Sequence, residues 1–116
     1  MSNEVRWVEV VGQDGEKLKS FYADLFGWKV EQAPGMPYWL HNPGNGGVGA
    51  GVGQAQDGEG HVTFYVGADD PQAVLDKAAQ LGGKTVAPVT EMELVTFALF
   101  ADLEGHVVGV VKNQQQ

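Results

Sequence analysis

The sequence contains no cysteine. Disulfide bonds, thiolate nucleophiles, cysteine-held iron–sulfur clusters and cysteine-ligated zinc sites are therefore excluded. Basic residues are also scarce, since seven lysines and arginines stand against fifteen aspartates and glutamates and the formal net charge is −8. Because such a balance repels phosphate backbones and anionic lipid headgroups, we expect no nucleic-acid partner and no membrane partner.

Long hydrophobic runs are missing as well. No apolar segment approaches the ~20 residues that span a bilayer, and residues 1–4 lack the basic and then apolar pattern of a signal peptide. We therefore expect a cytoplasmic protein. The 116 residues fit a single domain over 1–116, and the hydrophobic fraction of 43% is enough to close one core.

The first half of the chain predicts a strand, a helix and three further strands. Residues 5–11 are rich in valine and read as a strand. Asp14 is a typical helix N-cap, and Gly27 is a typical end of a helix because glycine readily adopts positive φ. Apolar residues recur between them at helical spacing, at Leu18, Phe21, Tyr22, Leu25 and Phe26. Short extended segments follow at 28–31, 38–41 and 48–52.

The second half repeats this order. A strand over 61–66 leads to Asp70 and Pro71, the favoured residues for the N-cap and first position of a helix. The buried stripe of this helix is predicted at Val74, Leu75, Ala78, Ala79 and Leu81, and Gly82 and Gly83 end it. Three strands are predicted after it, at 84–89, 95–101 and 107–112.

Residues 23–30 align with residues 79–86 at a constant offset of 56, with Ala, Leu, Gly and Val matching in register. Together with the shared element order, this indicates an internal duplication. We therefore predict an α+β fold of two tandem β-α-β-β-β modules, at about 5–53 and 60–112. The two small sheets are expected to form a curved, partly open, barrel-like trough with the helices outside, and such concave surfaces bind small molecules.

Three stretches, 21–28, 60–62 and 100–106, resemble the vicinal oxygen chelate superfamily. This superfamily includes glyoxalase I, bleomycin-resistance proteins, extradiol dioxygenases and fosfomycin-resistance enzymes. The resemblance covers about 5–112 and agrees with the predicted fold. It implies little about function, because the fold hosts metal enzymes and metal-free binding proteins alike.

The metal enzymes of the superfamily place ligands on the first, fourth, fifth and eighth strands. Carried onto this sequence, these positions fall on Trp7, within 48–52, on His61 and on Gly109. Only His61 is a ligand type, and a catalytic site needs at least three protein donors. The resemblance therefore implies no cofactor and does not favour a divalent metal, unless Glu9 replaces a ligand from the same strand face as Trp7.

Strand alternation then selects the side chains that face the trough. We expect Trp7 to stack on a flat ligand and Gly109 to enlarge the cavity. Tyr38 and Trp39 point to opposite faces, and we assign Trp39 to the pocket. The predicted ligand-binding residues are Trp7, Glu9, Trp39, His61, Thr63, Tyr65 and Gly109.

His61 and Glu9 are the candidate catalytic residues. A carboxylate inside an apolar strand needs a partner, and His61 on the same face would supply one. The pair would then act as a general base and the group that orients it. The opposing interpretation is a histidine that only bonds to a neighbour or to water.

Three functions stay open at this point. The first is metal-independent binding or sequestration of a small apolar or aromatic molecule, as in bleomycin-resistance-like proteins. The second is a divalent-metal-dependent, glyoxalase-like lyase, isomerase or dioxygenase that uses His61 and Glu9. The third is a structural or partner-binding subunit. The resemblance also implies a homodimer, because the superfamily pairs its modules across two chains, and open sheet edges gain from such pairing.

Overall fold

The structure, a computed structural model, describes residues 3–44, 46–55, 59–92 and 95–113. Over these residues the chain forms eight strands and two helices, which confirms the α+β class. In chain order they are β1 (Val5–Gly12), α1 (Gly15–Phe26), β2 (Glu31–Gln32), β3 (Tyr38–His41), β4 (Gly49–Gln54), β5 (His61–Ala68), α2 (Pro71–Gln80), β6 (Lys84–Glu91), β7 (Thr96–Ala101) and β8 (Val107–Lys112). None of these helices is long and apolar enough to cross a membrane.

The chain divides into two compact units. The first unit is Trp7–Thr63, and the second unit comprises residues 3–6 and 64–113. The start of β5, including His61, therefore belongs to the first unit. The single domain over 1–116, the trough and the homodimer stay predictions.

Both units have the same strand order. In the first unit the order is β2-β3-β4-β1, with β1 parallel to β4 and the other neighbours antiparallel. In the second unit the order is β5-β8-β7-β6, with β5 parallel to β8 and the other neighbours antiparallel. In each unit the first strand thus pairs in parallel with the last strand. The element order β-α-β-β-β occurs twice along the chain.

The ends of the helices follow the capping signals. Asp14 accepts a hydrogen bond from the backbone N–H of Lys17 at 3.1 Å, and Gly27 has a φ of 72°. Asp70 accepts from the N–H of Gln72 at 3.1 Å, and Pro71 is the first residue of α2. These side chains satisfy amide groups that a helix leaves unpaired at its start.

Two predictions about local structure are wrong. The extended segment predicted at 28–31 is reduced to a strand at Glu31–Gln32, because pairing with β3 begins at Glu31. The ring of Trp28 stacks on the His41 ring at 4.5 Å between centroids. In α2, Ala79 and Leu81 are exposed instead of buried, and Leu81 lies after the end of the helix. The core of the second unit consists of Ala68, Leu75, Ala98 and Val110.

The turn between β7 and β8 depends on one carboxylate. Asp102 accepts hydrogen bonds from the backbone N–H groups of His106 and Glu104, both at 2.9 Å, and its other oxygen lies 3.1 Å from His106 Nδ1. The backbone N–H of His106, followed by that of Glu104, lowers the pKa of Asp102 below its usual 3.8. These bonds favour the charged form of the carboxylate.

A lowered carboxyl pKa in the folded state stabilises the turn at pH values above the ordinary pKa of aspartate. This stabilisation is lost as the pH falls through the lowered pKa. We expect the amide resonances of Glu104 and His106 to shift together as the pH is lowered through the pKa of Asp102. In Asp102→Asn this pH-dependent shift should disappear. Asp24→Asn, in α1, is the control and should leave both shifts unchanged. An unchanged titration in Asp102→Asn would contradict the assignment.

Candidate functional site

The glycines of β4 make room for aromatic rings on one face of the first unit. Trp7 lies opposite Gly49 in the parallel β1–β4 register, and a Cβ atom at Gly49 would overlap the Trp7 ring. A Cβ atom at Gly51 or Gly53 would overlap the Tyr38 ring. Because these glycines are two residues apart, they share a face of the strand. Both rings therefore lie flat against the backbone of β4.

The same face carries a chain of hydrogen bonds. The indole N–H of Trp7 donates to the Tyr38 hydroxyl at 3.0 Å, and this hydroxyl donates to Glu9 Oε1 at 2.9 Å. The other carboxylate oxygen, Oε2, lies 2.9 Å from His61 Nε2. The Glu9 side chain is 13% exposed, whereas that of His61 is 50% exposed. The covered carboxylate thus has a partner at each oxygen, as burial of a charge requires.

Gly60 brings His61 to this position. A Cβ atom at Gly60 would collide with the carbonyl oxygen of Val11, near the end of β1. The absence of a side chain lets the backbone before β5 approach β1 closely. His61, the first residue of β5, can then reach Glu9.

A cavity of about 480 Å³ opens beside the Glu9–His61 pair, within the first unit. Among the described residues, its lining combines apolar side chains with two carboxylates and includes no lysine or arginine. The lining residues are Glu9, Val11, Met36, Pro37, Tyr38, Gln54, Ala55, Glu59 and His61. A volume of this size suits a small organic molecule.

Among the predicted site residues, the structure brings Glu9 and His61 together in this cavity. Trp7 and Trp39 lie outside the lining of this cavity. Trp7 does not line the cavity, because its ring covers Gly49 and its N–H bonds to Tyr38. Trp39 lies outside the lining, with Lys19 Nζ 5.5 Å from the centre of its ring, and Tyr38 takes the expected place.

The remaining predicted residues, Thr63, Tyr65 and Gly109, also lie outside this lining. Tyr65 and Gly109 belong to the second unit, where they face each other in the β5–β8 register. A Cβ atom at Gly109 would overlap the Tyr65 ring. Gly109 therefore makes room for the Tyr65 ring, and its role in enlarging a ligand cavity stays a prediction.

Sequence reasoning missed several lining residues, among them Tyr38, Gln54 and Glu59. One signal for Tyr38 was present in the sequence. Gly49, Gly51 and Gly53 occupy every second position of β4. This pattern indicates a strand face that another group approaches too closely for a side chain to fit. Residues such as Met36 and Pro37 carry no comparable signal.

The described donors of this site do not form a set that fits a divalent metal. Among the described residues, no group of three or more His, Cys, Asp or Glu side chains is placed to hold a metal ion. Glu9 and His61 bond directly to each other, and Tyr38 bonds to the remaining carboxylate oxygen. Three protein donors are the norm for a catalytic zinc site.

Comparison with known proteins gives a consistent family. Residues 7–111 match the family model described as a glyoxalase-like domain. A glyoxylase-like domain-containing protein from Didymella fabae is 24% identical over 126 residues, and the match covers 91% of each chain. A glyoxylase candidate from Mycobacterium bovis is 28% identical over 120 residues, covering 90% of this chain but only 43% of that protein.

The fold is also similar to that of the Mn(II)-bound glyoxalase from Novosphingobium aromaticivorans. The TM-score is 0.69 at 18% identity, covering 95% of this chain and 38% of that one. At this identity the likeness concerns the fold alone.

Proposed function

This chain belongs to the glyoxalase-like domain family of the vicinal oxygen chelate superfamily, and within that family we propose that it is a metal-independent binding protein. Its ligand is a small apolar or aromatic molecule, held in the cavity of the first unit. The protein binds or sequesters this molecule without requiring a metal ion.

The observation that carries the proposal is the direct 2.9 Å contact between His61 Nε2 and Glu9 Oε2 at the edge of the cavity. A histidine and a carboxylate that hydrogen-bond to each other satisfy their polar atoms without a metal ion between them. The apolar side chains of Val11, Met36 and Pro37 supply the surface that an apolar ligand would cover.

The charge of the lining further restricts which ligands can bind. Glu9 and Glu59 contribute carboxylates, and the part of the lining that the structure describes contains neither lysine nor arginine. An anionic ligand would meet repulsion that no lysine or arginine of the described lining offsets. The ligand is therefore uncharged or positively charged.

We expect uncharged and cationic aromatic compounds to bind, and matched carboxylated compounds to bind more weakly, in calorimetric titrations of the purified protein. Affinity should stay within about twofold when EDTA is added. Val11→Phe should weaken binding because it fills the cavity, whereas Val48→Phe, at an exposed position of the same unit, should not. A stoichiometric metal after gentle purification, lost in His61→Ala, would overturn the proposal.

Catalysis is the second candidate, and the Glu9–His61 pair is the observation that favours it. A carboxylate that orients an imidazole is a common acid–base arrangement. Mass spectrometry of each bound compound after incubation separates the two functions. Recovery of the unchanged compound supports a binding protein, whereas conversion that disappears in His61→Gln supports an enzyme.

A further inference from the structure

We infer that Trp7, Tyr38 and Glu9 hold His61 in a single tautomer, whose unprotonated Nδ1 accepts a hydrogen bond from the ligand. The tautomer follows from the hydrogen-bond chain of the first unit alone. The ligand class rests on the proposed function, because it requires that the cavity binds a small molecule.

Trp7, at one end of the series of hydrogen bonds, sets the direction in which each of these bonds is donated. An indole N–H can only donate, so the Tyr38 hydroxyl must accept at the 3.0 Å contact with Trp7 Nε1. The single proton of this hydroxyl is then directed to Glu9 Oε1, 2.9 Å away. The donor and the acceptor of both hydrogen bonds are therefore fixed.

An ionised carboxylate only accepts hydrogen bonds. At the 2.9 Å contact between Glu9 Oε2 and His61 Nε2, the proton therefore belongs to Nε2. A neutral imidazole carries one N–H, and this N–H is used by Glu9. The second ring nitrogen, Nδ1, is left with its lone pair, because the partner of one nitrogen fixes the state of the other.

The other polar groups of the cavity also favour a ligand that donates a hydrogen bond. The amide of Gln54 is directed to backbone, since its Oε1 accepts from the N–H of Gly15 at 2.7 Å and its Nε2 donates to the carbonyl of Gln13. His61 Nδ1 and the carboxylates of Glu9 and Glu59, which contribute to the described lining, are acceptors. The geometry thus points to an apolar ligand that bears an O–H or N–H group, such as a phenol.

Trp7 and Tyr38 are positioning residues in this scheme. They act on the ligand only through Glu9 and His61. Tyr38→Phe removes the donor to Glu9 Oε1 while keeping the ring over Gly51, so it changes the hydrogen bonds with little change in packing.

The tautomer is tested in the ligand-free protein by long-range proton–nitrogen NMR of the histidine rings, above the pH at which each ring is observed to titrate. We expect the Nε2–H form of His61 to exceed the Nδ1–H form by at least about tenfold, since a bond to a charged acceptor is worth roughly 1.5–3 kcal/mol. His106 is an internal control with the opposite arrangement, because its Nδ1 faces Asp102 Oδ2 at 3.1 Å.

Two variants sharpen the result. Glu9→Ala should give His61 a mixture of tautomers and leave His106 unchanged, and Tyr38→Phe should reduce the excess of the Nε2–H form. A wild-type His61 that carries its proton on Nδ1, or an equal mixture, overturns the inference even if every variant fails to fold.

The ligand class is tested with 2-naphthol and 2-methoxynaphthalene, which differ in one donor. We expect 2-naphthol to bind about two- to tenfold more tightly, as one hydrogen bond allows, and to shift the Nδ1 resonance of His61. Equal affinities overturn the ligand class but leave the proposed binding function standing. If neither compound nor any member of the aromatic series binds, the ligand class and the proposed function both fail, while the tautomer is decided by the ligand-free spectra.

Discussion

Replacing Leu75 by alanine is expected to lower the free energy of unfolding by about 2–5 kcal/mol. Leu75 is 2% exposed and packs with Ala68, Ala98 and Val110 in the second unit. Truncation removes its apolar contacts and leaves a cavity that the surrounding backbone can fill only in part. Chemical denaturation followed by circular dichroism measures the loss. Leu103→Ala, the same substitution at a side chain that is 74% exposed, should stay within about 0.5 kcal/mol of the wild type.

The same variant tests whether the chain is one domain. All three tryptophans, Trp7, Trp28 and Trp39, lie in the first unit, whereas Leu75 lies in the second. If the chain unfolds as a single cooperative domain, tryptophan fluorescence and circular dichroism will shift to the same new midpoint. A fluorescence midpoint that stays at the wild-type value in Leu75→Ala would refute the single domain over 1–116.

Gly51→Ala is expected to displace the Tyr38 ring and to cost about 1–3 kcal/mol of stability. Gly51 lies opposite Glu9 in the β1–β4 register, and an added Cβ atom would occupy the space of the Tyr38 hydroxyl. The bonds from Tyr38 to Glu9 and from Trp7 to Tyr38 should therefore be lost together. The altered environment of Trp7 would be visible in fluorescence, and a reduced excess of the Nε2–H tautomer in the His61 NMR signals.

A double-mutant cycle identifies the obstacle. If the Tyr38 ring causes the cost, Gly51→Ala should be less harmful in a Tyr38→Ala background, with an interaction energy of at least about 0.5 kcal/mol. Simple addition of the two single costs would mean that the ring is not what the new methyl group meets.

The helices were predictable from the sequence because their signals are local. Asp14, Gly27, Asp70 and Pro71 act within a few residues of where they stand, and the structure uses them as expected. The family resemblance is confirmed as well. The strand predicted at 28–31 forms at Glu31–Gln32 instead, because its position depends on where it pairs with β3, which no local pattern encodes.

The candidate site was predictable only in part. The shared face of Trp7 and Glu9 follows from strand periodicity, and the structure joins Glu9 to His61 at 2.9 Å. Periodicity states that Tyr38 and Trp39 point to opposite faces, but it does not state which face is which. That choice depends on the antiparallel pairing of β3 with β4, where Tyr38 lies opposite Gly53. Pairing between separate strands is not encoded in any local pattern.

The close fit of Tyr38 over Gly51 also restricts how this protein can evolve. A lineage that gains a side chain at position 51 while tyrosine remains at position 38 passes through a damaged intermediate. The two positions should therefore covary among descendants, with larger residues at 51 accompanied by smaller ones at 38. Where both have changed, selection on Glu9 and His61 as a pair should relax too.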